Sequence, residues 1–219
     1  MSVMAFREPI PGFGPDRCAM YLQGTEGAPP RPELVRAIEL AGTPGPGARA
    51  LDLGCGPGRE TVALLRAGWE VVAVDPYATM LERTRALVTA DAPDAAPRLT
   101  LVDATLEELA PGLAPASFGL VHAGFVLPFV RPDAFDAAFS RLRGALAPGG
   151  ILACQFFGPD DEFIRTAVPG AMSSHASTDV DRLLAGLELL HREEVNREGQ
   201  VGRGRTKWWH VHHVIARQS

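Results

Sequence analysis

From about residue 48 the chain alternates short apolar runs with longer amphipathic segments. That alternation predicts a parallel sheet joined by crossover helices. The strands expected are Arg49 to Leu53, Glu70 to Val74, Leu99 to Val102, Gly119 to His122 and Ile151 to Phe157. Several are continuous apolar runs, as strands covered on both faces require. Helices are predicted at about Arg59 to Ala67, Ala78 to Thr89 and Pro132 to Leu146, with a shorter one near Val180 to Gly186. The third starts with Pro132 in its first turn and Asp133 at the positive end of the dipole, and it stops at the turn Pro148-Gly149-Gly150. After that the pattern changes: Glu188 to Asn196 and Thr206 to Ala216 read as extended segments around Arg197 to Gly202, an antiparallel hairpin.

The prolines and glycines up to Pro30 predict an irregular N-terminal arm over residues 1–30, either decoration or a cover for a ligand. Pro32 to Leu40 then reads as one amphipathic helix. Neither an internal repeat nor a dividing linker is visible. The expectation is therefore a single α/β domain over residues 1–219.

At 219 residues the chain is long enough to bury about 70% of its unfolded surface. Its formal charge of −5 comes without a long basic run, so no nucleic-acid partner is expected. Cys18, Cys55 and Cys154 fit neither a zinc pattern nor a disulfide framework. The start carries Arg7, Glu8 and early prolines instead of a charged segment followed by an apolar run, and no later stretch has membrane-spanning length. A cytoplasmic protein without a membrane partner is expected.

The richest segment is Ala50 to Thr61, where a buried-strand pattern, a glycine turn and a helix start follow within twelve residues. Glycines at 54, 56 and 58 allow a sharp turn and close approach of a ligand to the main chain. A pyrophosphate fingerprint spaces its glycines as G-x-G-x-x-G and offers helix N–H groups to phosphate oxygens. Here the spacing is G-x-G-x-G and Pro57 removes one N–H, which suits a nucleotide-like ligand without phosphates. Asp75 ends the second strand about 20 residues on, where a carboxylate reaches both hydroxyls of a ribose. Asp103 ends the third, where an acid can accept from an adenine amino group. For both, capping of the next turn is the plainer alternative.

Leu51-Asp52-Leu53-Gly54-Cys55-Gly56-Pro57-Gly58, Val74-Asp75, Val102-Asp103-Ala104 and Leu146-Ala147-Pro148-Gly149-Gly150 resemble the successive motifs of class I S-adenosylmethionine-dependent methyltransferases. The match runs from about Arg31 to the end. Phe125-Val126-Leu127-Pro128-Phe129 and the closing Lys207 to Arg217 are similar to a group of small bacterial methyltransferases described as tellurite-resistance-like. The resemblance implies a Rossmann-like seven-stranded, mostly parallel sheet with a C-terminal antiparallel hairpin and helices on both faces. It implies S-adenosylmethionine as cofactor and S-adenosylhomocysteine as product. It places the turn of Gly54, Cys55, Gly56 and Gly58 at the methionine part, Asp75 at the ribose, and Asp103 with Ala104 at the adenine, and it adds Asp52, Arg59, Pro76, Met80 and Ala123 as cofactor-binding candidates. Tyr21 and Arg17 of the arm would close over the cofactor, the arginine pairing its carboxylate.

His122 ends the fourth strand at the switch point, where an imidazole either takes a proton from an acceptor or only hydrogen-bonds cofactor and turn. Nucleobase amino-methyltransferases carry an acid or amide, two prolines and an aromatic there; this chain has His122-Ala123-Gly124-Phe125, which favours a small-molecule acceptor. Phe125, Phe129 and His175 are candidates to wall the acceptor pocket, His175 having the alternative of an exposed loop beside a cap at Ser177 or Thr178. His210 and His212 share one strand face while His213 points to the other. With no carboxylate or cysteine close in sequence, strand packing accounts for them and no metal is expected. Trp208 and Trp209 with Arg203, Arg205 and Lys207 read as a solvated hairpin edge, and Cys55 as a small apolar filler.

The function expected is methyl transfer from S-adenosylmethionine to a small-molecule O, S/Se or N nucleophile by a monomer or homodimer. Its rival is a protein that binds the same compound without transferring methyl.

Overall fold

The computed structural model describes residue 10 and residues 14–201 and 205–219, the side chains of residues 15–17 excepted. The chain begins with α1 (Pro15–Thr25) and α2 (Pro32–Ala41), followed by β1 (Arg49–Leu53), α3 (Arg59–Arg66), β2 (Glu70–Val74) and α4 (Ala78–Asp91). Next come β3 (Leu99–Val102), the single turn α5 (Leu106–Leu109), β4 (Phe118–Ala123) and α6 (Pro132–Gly144). Strand β5 (Leu146–Phe157), α7 (Glu162–Thr166), α8 (Ser177–Leu184) and the hairpin β6 (Leu187–Gln200) and β7 (Thr206–Gln218) complete it.

The seven strands lie in the order β3-β2-β1-β4-β5-β7-β6. Strands β1 to β5 pair in parallel, while β7 runs antiparallel to both β5 and β6. Because β1 sits between β2 and β4, successive connections leave it in opposite directions and open a crevice at its carboxyl end. The sheet is apolar on both faces. One core layer packs Leu51, Leu53, Val121, Leu152, Phe156 and Val214 beneath α6 and α8. The other packs Ala50, Val71, Leu120, Ile151 and Ile215 beneath α2, α3 and α4. Even positions of β7, and of β6 from Arg192 on, therefore face α6 and α8, while odd positions of β7 face α2; ahead of the bulge between Leu189 and His191 the parity of β6 is reversed, with Leu187 on the α6 side and Leu190 on the α2 side.

Three expectations need correction. The arm is not irregular throughout: residues 15–25 are helical, because Pro15 at the first turn is compatible with a helix start and neither proline nor a second breaker falls inside until Gly24. Pro148-Gly149-Gly150 is a bulge inside β5 rather than a turn before it. Gly149 takes φ 75°, and a Cβ at Gly150 would lie 2.8 Å from the Ala147 carbonyl oxygen. Finally, β6 continues through Arg197 to Gln200, opposite Trp209 to Thr206, so the hairpin is longer and its turn later than predicted. The short helices α5 and α7 carried too little periodicity to predict; each is fixed by a cap, Thr105 with Glu108 in one and Asp161 in the other.

Candidate functional site

The glycine turn forms the floor of the crevice. Gly54, Gly56 and Gly58 all take positive φ, at 67°, 53° and 95°. Two of these positions also exclude a side chain: a Cβ at Gly58 would sit 2.7 Å from Thr84 Cα, and one at Gly54 2.9 Å from Val126 Cγ2. The Gly56 carbonyl accepts from Thr84 Oγ1 at 2.8 Å, and the Cys55 N–H donates to the Val74 carbonyl at 2.9 Å. The turn is thereby fastened to β2 and α4 before any ligand arrives.

Asp75, at the end of β2, faces this turn. One carboxylate oxygen accepts from the Gly56 N–H and the other from the Tyr77 N–H, both at 3.0 Å. Each oxygen has a second lone pair for a ligand hydroxyl. Burial pushes Asp75 from 3.8 up to about 6 against the pull of the two N–H bonds, and Asp52 and Asp103 add to the rise. A diol donating to this carboxylate would offset the cost of its desolvation.

On the α2 and α3 face, β1 and β4 are in a register that sets Asp52 beside His122. His122 Nδ1 lies 2.8 Å from one Asp52 oxygen, and Thr61 Oγ1 donates to the other at 2.6 Å. A carboxylate only accepts, so Nδ1 carries the ring proton and the Nε2 lone pair is left over. Nε2 is buried and has no hydrogen-bond partner. Gly124 makes room for the ring, since a Cβ there would lie 2.7 Å from Nε2 and 3.7 Å from Arg31 Cδ. Asp52 is thus a partner of His122, a role the sequence reading did not give it.

Arg31 and Phe125 form the side of the crevice. The Arg31 guanidinium lies 4.4 Å above the Phe125 ring. Its Nε is 3.9 Å from Glu60, which Arg59 pairs more closely at 2.6 Å. Burial and then Arg59 hold Arg31 below its ordinary pKa, so an anion in the crevice would be welcome beside it. Phe125 has φ 57°, a backbone state uncommon for a bulky residue. It is held there by its N–H bond to Gln155 Oε1 at 3.1 Å and by edge contacts to Phe157, Trp209 and His213 at 5.9–6.0 Å. Above the floor, Tyr21 of α1 places its hydroxyl 3.2 Å from where a Cβ of Gly56 would be. Helix α1 is seated there by a small apolar group of Cys18, Tyr77 and Met80.

The remaining sequence candidates are distributed as follows. Asp103 is exposed at the end of β3, next to buried Ala104, and Pro76 and Met80 are buried at the start of α4. Ala123 is packed in the α6-side core. Cys55 is buried, its Sγ 3.6 Å from Thr84 Oγ1, and burial pushes its thiol well up. Phe129 ends a short 3-10 turn and is half-buried. The Arg17 side chain lies outside the described residues. His175 is not in an exposed loop: it is buried, its ring 4.1 Å from that of Phe135 and 5.6 Å from that of Phe156, and burial lowers it to about 4. The segment from Ser173 to His175 is drawn inward by backbone bonds to Pro128 and Phe157, which places this imidazole in the α6-side core rather than with His122 and Phe125.

Arg31, Gln155 and Glu33 went unpredicted. Arg31 had a signal, a lone cation at the cap position before Pro32, but the strand register that brings Gln155 and His213 to the same face had none. His213 Nδ1 lies 2.8 Å from Glu33, and that contact holds the Glu33 carboxyl down to about 2.

Residues 50–150 match the family described as a methyltransferase domain. The matched segment runs from β1 to the first residues of β5 and so carries the glycine turn, Asp75 and His122. Among curated proteins, a trans-aconitate 2-methyltransferase of Methylobacterium radiotolerans is 39% identical over 115 residues, covering 51% of this chain and 38% of its own. A carboxy-S-adenosyl-L-methionine synthase of Pseudomonas syringae pv. tomato is 39% identical over 105 residues, covering 46% and 42%. The chain thus spans less than half the length of these relatives. Among solved structures, the Burkholderia thailandensis 1,6-didemethyltoxoflavin-N1-methyltransferase with S-adenosylhomocysteine has a TM-score of 0.66 at 22% identity, over 93% of this chain and 86% of that one. TehB of Haemophilus influenzae has 0.68 at 15% identity, over 91% and 66%. They share the fold; the tellurite-resistance-like grouping stays a resemblance.

Proposed function

We propose that the protein transfers a methyl group from S-adenosylmethionine to a small-molecule acceptor by direct in-line displacement. The observation that carries this reading is Asp75, a desolvated carboxylate whose oxygens each keep a lone-pair site, facing the glycine turn Gly54 to Gly58. The fit extends to Gly58, whose missing Cβ lets the turn pack on Thr84 of α4, and to Gly56, whose missing Cβ leaves room beneath the Tyr21 hydroxyl of α1. The relatives support a small acceptor, since the printed names specify trans-aconitate and 1,6-didemethyltoxoflavin.

S-adenosylmethionine supplies a methyl group already activated on a sulfonium. The chain's own task is to orient the partners and keep water out. Asp75 holds the ribose hydroxyls. Arg31 offers its charge to a carboxylate in the crevice, and Phe125 gives the acceptor a rigid apolar wall. His122 Nε2 accepts a proton from a hydroxyl or protonated nucleophile, with Asp52 holding the ring in the tautomer that permits it. We read the chain as working in the cytoplasm without a nucleic-acid or membrane partner, as monomer or homodimer. Among the described residues no helix is long and apolar enough to cross a membrane.

A second reading, binding of the sulfonium compound without methyl transfer, is favoured by relatives named synthases of a modified S-adenosylmethionine. Incubation with methyl-labelled donor and a panel of carboxylic acids, phenols and thiols separates the two. Label in one acceptor class with matching S-adenosylhomocysteine is the expected result. Tight S-adenosylhomocysteine binding with no label in any acceptor would give the second reading the field.

A further inference from the structure

On the opposite face of the sheet from His122, the β6–β7 hairpin gathers the carboxylate that sequence spacing did not reveal. Glu194 is directly opposite His212, and His210 follows on the same face two residues away. We propose that Glu194, His210 and His212 form a binding site for one divalent transition-metal ion of the zinc class. His210 Nε2 lies 2.9 Å from one Glu194 oxygen and His212 Nδ1 3.7 Å from the other. One ligand atom from each residue can be chosen so that all three lie within 4.8 Å of one another. Bonds of about 2.0–2.1 Å to zinc require ligand atoms about 3.3 Å apart in a tetrahedron, so small side-chain rotations close the site.

Two further features point to an ion instead of a simple hydrogen-bonded pair. Neither ring nitrogen of His212 makes a well-formed hydrogen bond, although the residue is fully buried; its polar neighbours are Glu194, 3.7 Å from Nδ1, and the His175 backbone. A bound ion would give this buried imidazole the strong partner it lacks. The second feature is the support behind His210: Asp160 Oδ2 is 3.4 Å from Nδ1, and Asn196 Nδ2 donates to that same carboxylate at 3.1 Å. Metal-ligating histidines donate their second N–H to a carboxylate, and Asp160 is near enough to take that part once the Nδ1 atom is protonated. Without metal, the Asp160 N–H donates to Nδ1 at 3.2 Å, so the ring proton is on Nε2 toward Glu194. An ion at Nε2 requires the other tautomer, with the ring proton on Nδ1 donated to the Asp160 carboxylate and the bond from the Asp160 N–H given up. Two imidazoles and one carboxylate select zinc, copper or nickel over magnesium or calcium. Exposure on the Glu194 side leaves the fourth position to water. Asp160 and Asp161 follow β5, so the ion would clip the hairpin to that segment.

The test uses the full chain, stripped with a chelator and titrated with zinc chloride against a chromophoric competitor. One equivalent with Kd below about 1 μM is expected. Glu194 is exposed, so Glu194→Gln keeps the fold, and it weakens binding by about 100-fold or more; Asp160→Asn weakens it by about 10- to 100-fold. Cobalt substitution should give a nitrogen and oxygen spectrum without thiolate charge transfer, which separates this site from Cys18, Cys55 and Cys154. Equal zinc affinity in wild type and Glu194→Gln, or a thiolate band, overturns the proposal.

Discussion

Two carboxylate–histidine assemblies lie on opposite faces of the same sheet, and they differ in what each leaves unspent. Asp52 gives one oxygen to Thr61 and the other to His122, which aims the His122 Nε2 lone pair beside Gly124 and Arg31. Glu194 is half-open to water and faces two imidazoles, of which His212 makes no well-formed hydrogen bond. The first arrangement fixes one tautomer and aims one atom. The second is an incomplete ligand shell. Position in the sheet makes the difference: β1 and β4 are central and covered on both faces, whereas β6 is an edge strand.

The largest expected effect sharpens the crevice half of that contrast. Asp52→Asn can donate to Nδ1 and turn the His122 ring to the tautomer with Nε2 protonated. Transfer to a hydroxyl acceptor should then fall about 100- to 10,000-fold, with S-adenosylhomocysteine affinity nearly unchanged, in parallel kinetics and calorimetry. If rate and affinity fall together, Asp52 only supports the fold.

Next in size is the floor. Gly58→Ala forces a Cβ to within 2.7 Å of the Thr84 backbone at φ 95° and should cost about 3 kcal/mol in denaturant unfolding.

The two perturbed carboxylates of the α2 side then predict opposite pH trends. Asp75 is raised in the folded protein, from 3.8 to about 6, so its contribution is fully present below 3.8 and is lost as pH climbs through 6. Ligand-free protein should lose about 3 kcal/mol across that window relative to Asp75→Asn. Glu33 is depressed, from 4.5 to about 2, so its contribution is present above 4.5 and is lost as pH falls toward 2. Screening by water limits that loss to about 1 kcal/mol, measured against Glu33→Gln. Equal slopes for the two variants would contradict the assignment. At the hairpin edge, Glu188→Gln removes an exposed contact to Arg217 at 3.3 Å and should change stability by less than about 0.5 kcal/mol.

The elements of the sheet were legible because apolar runs and glycine punctuation are local. So was the meeting of the glycine turn with Asp75, since Gly54 to Gly58 and Asp75 lie in one crossover unit. What the sequence withheld was register. Asp52 and His122 are 70 residues apart, and Glu194 and His210 meet only through hairpin pairing. A shift of one residue would send any of these side chains to the other face, and nothing local fixes it. Helix α1 was hidden by the prolines that surround it, and His175 by a segment whose backbone bonds pull it under α6.

The central claim is that Asp75 and the glycine turn hold an adenosyl sulfonium compound. Calorimetry with S-adenosylhomocysteine on wild type and Asp75→Ala tests it most directly. The account predicts one site per chain, weakened about 100-fold or more by the substitution, since two hydroxyl bonds to a charged group are lost. Unchanged affinity in Asp75→Ala, or no binding to the wild type, would contradict it.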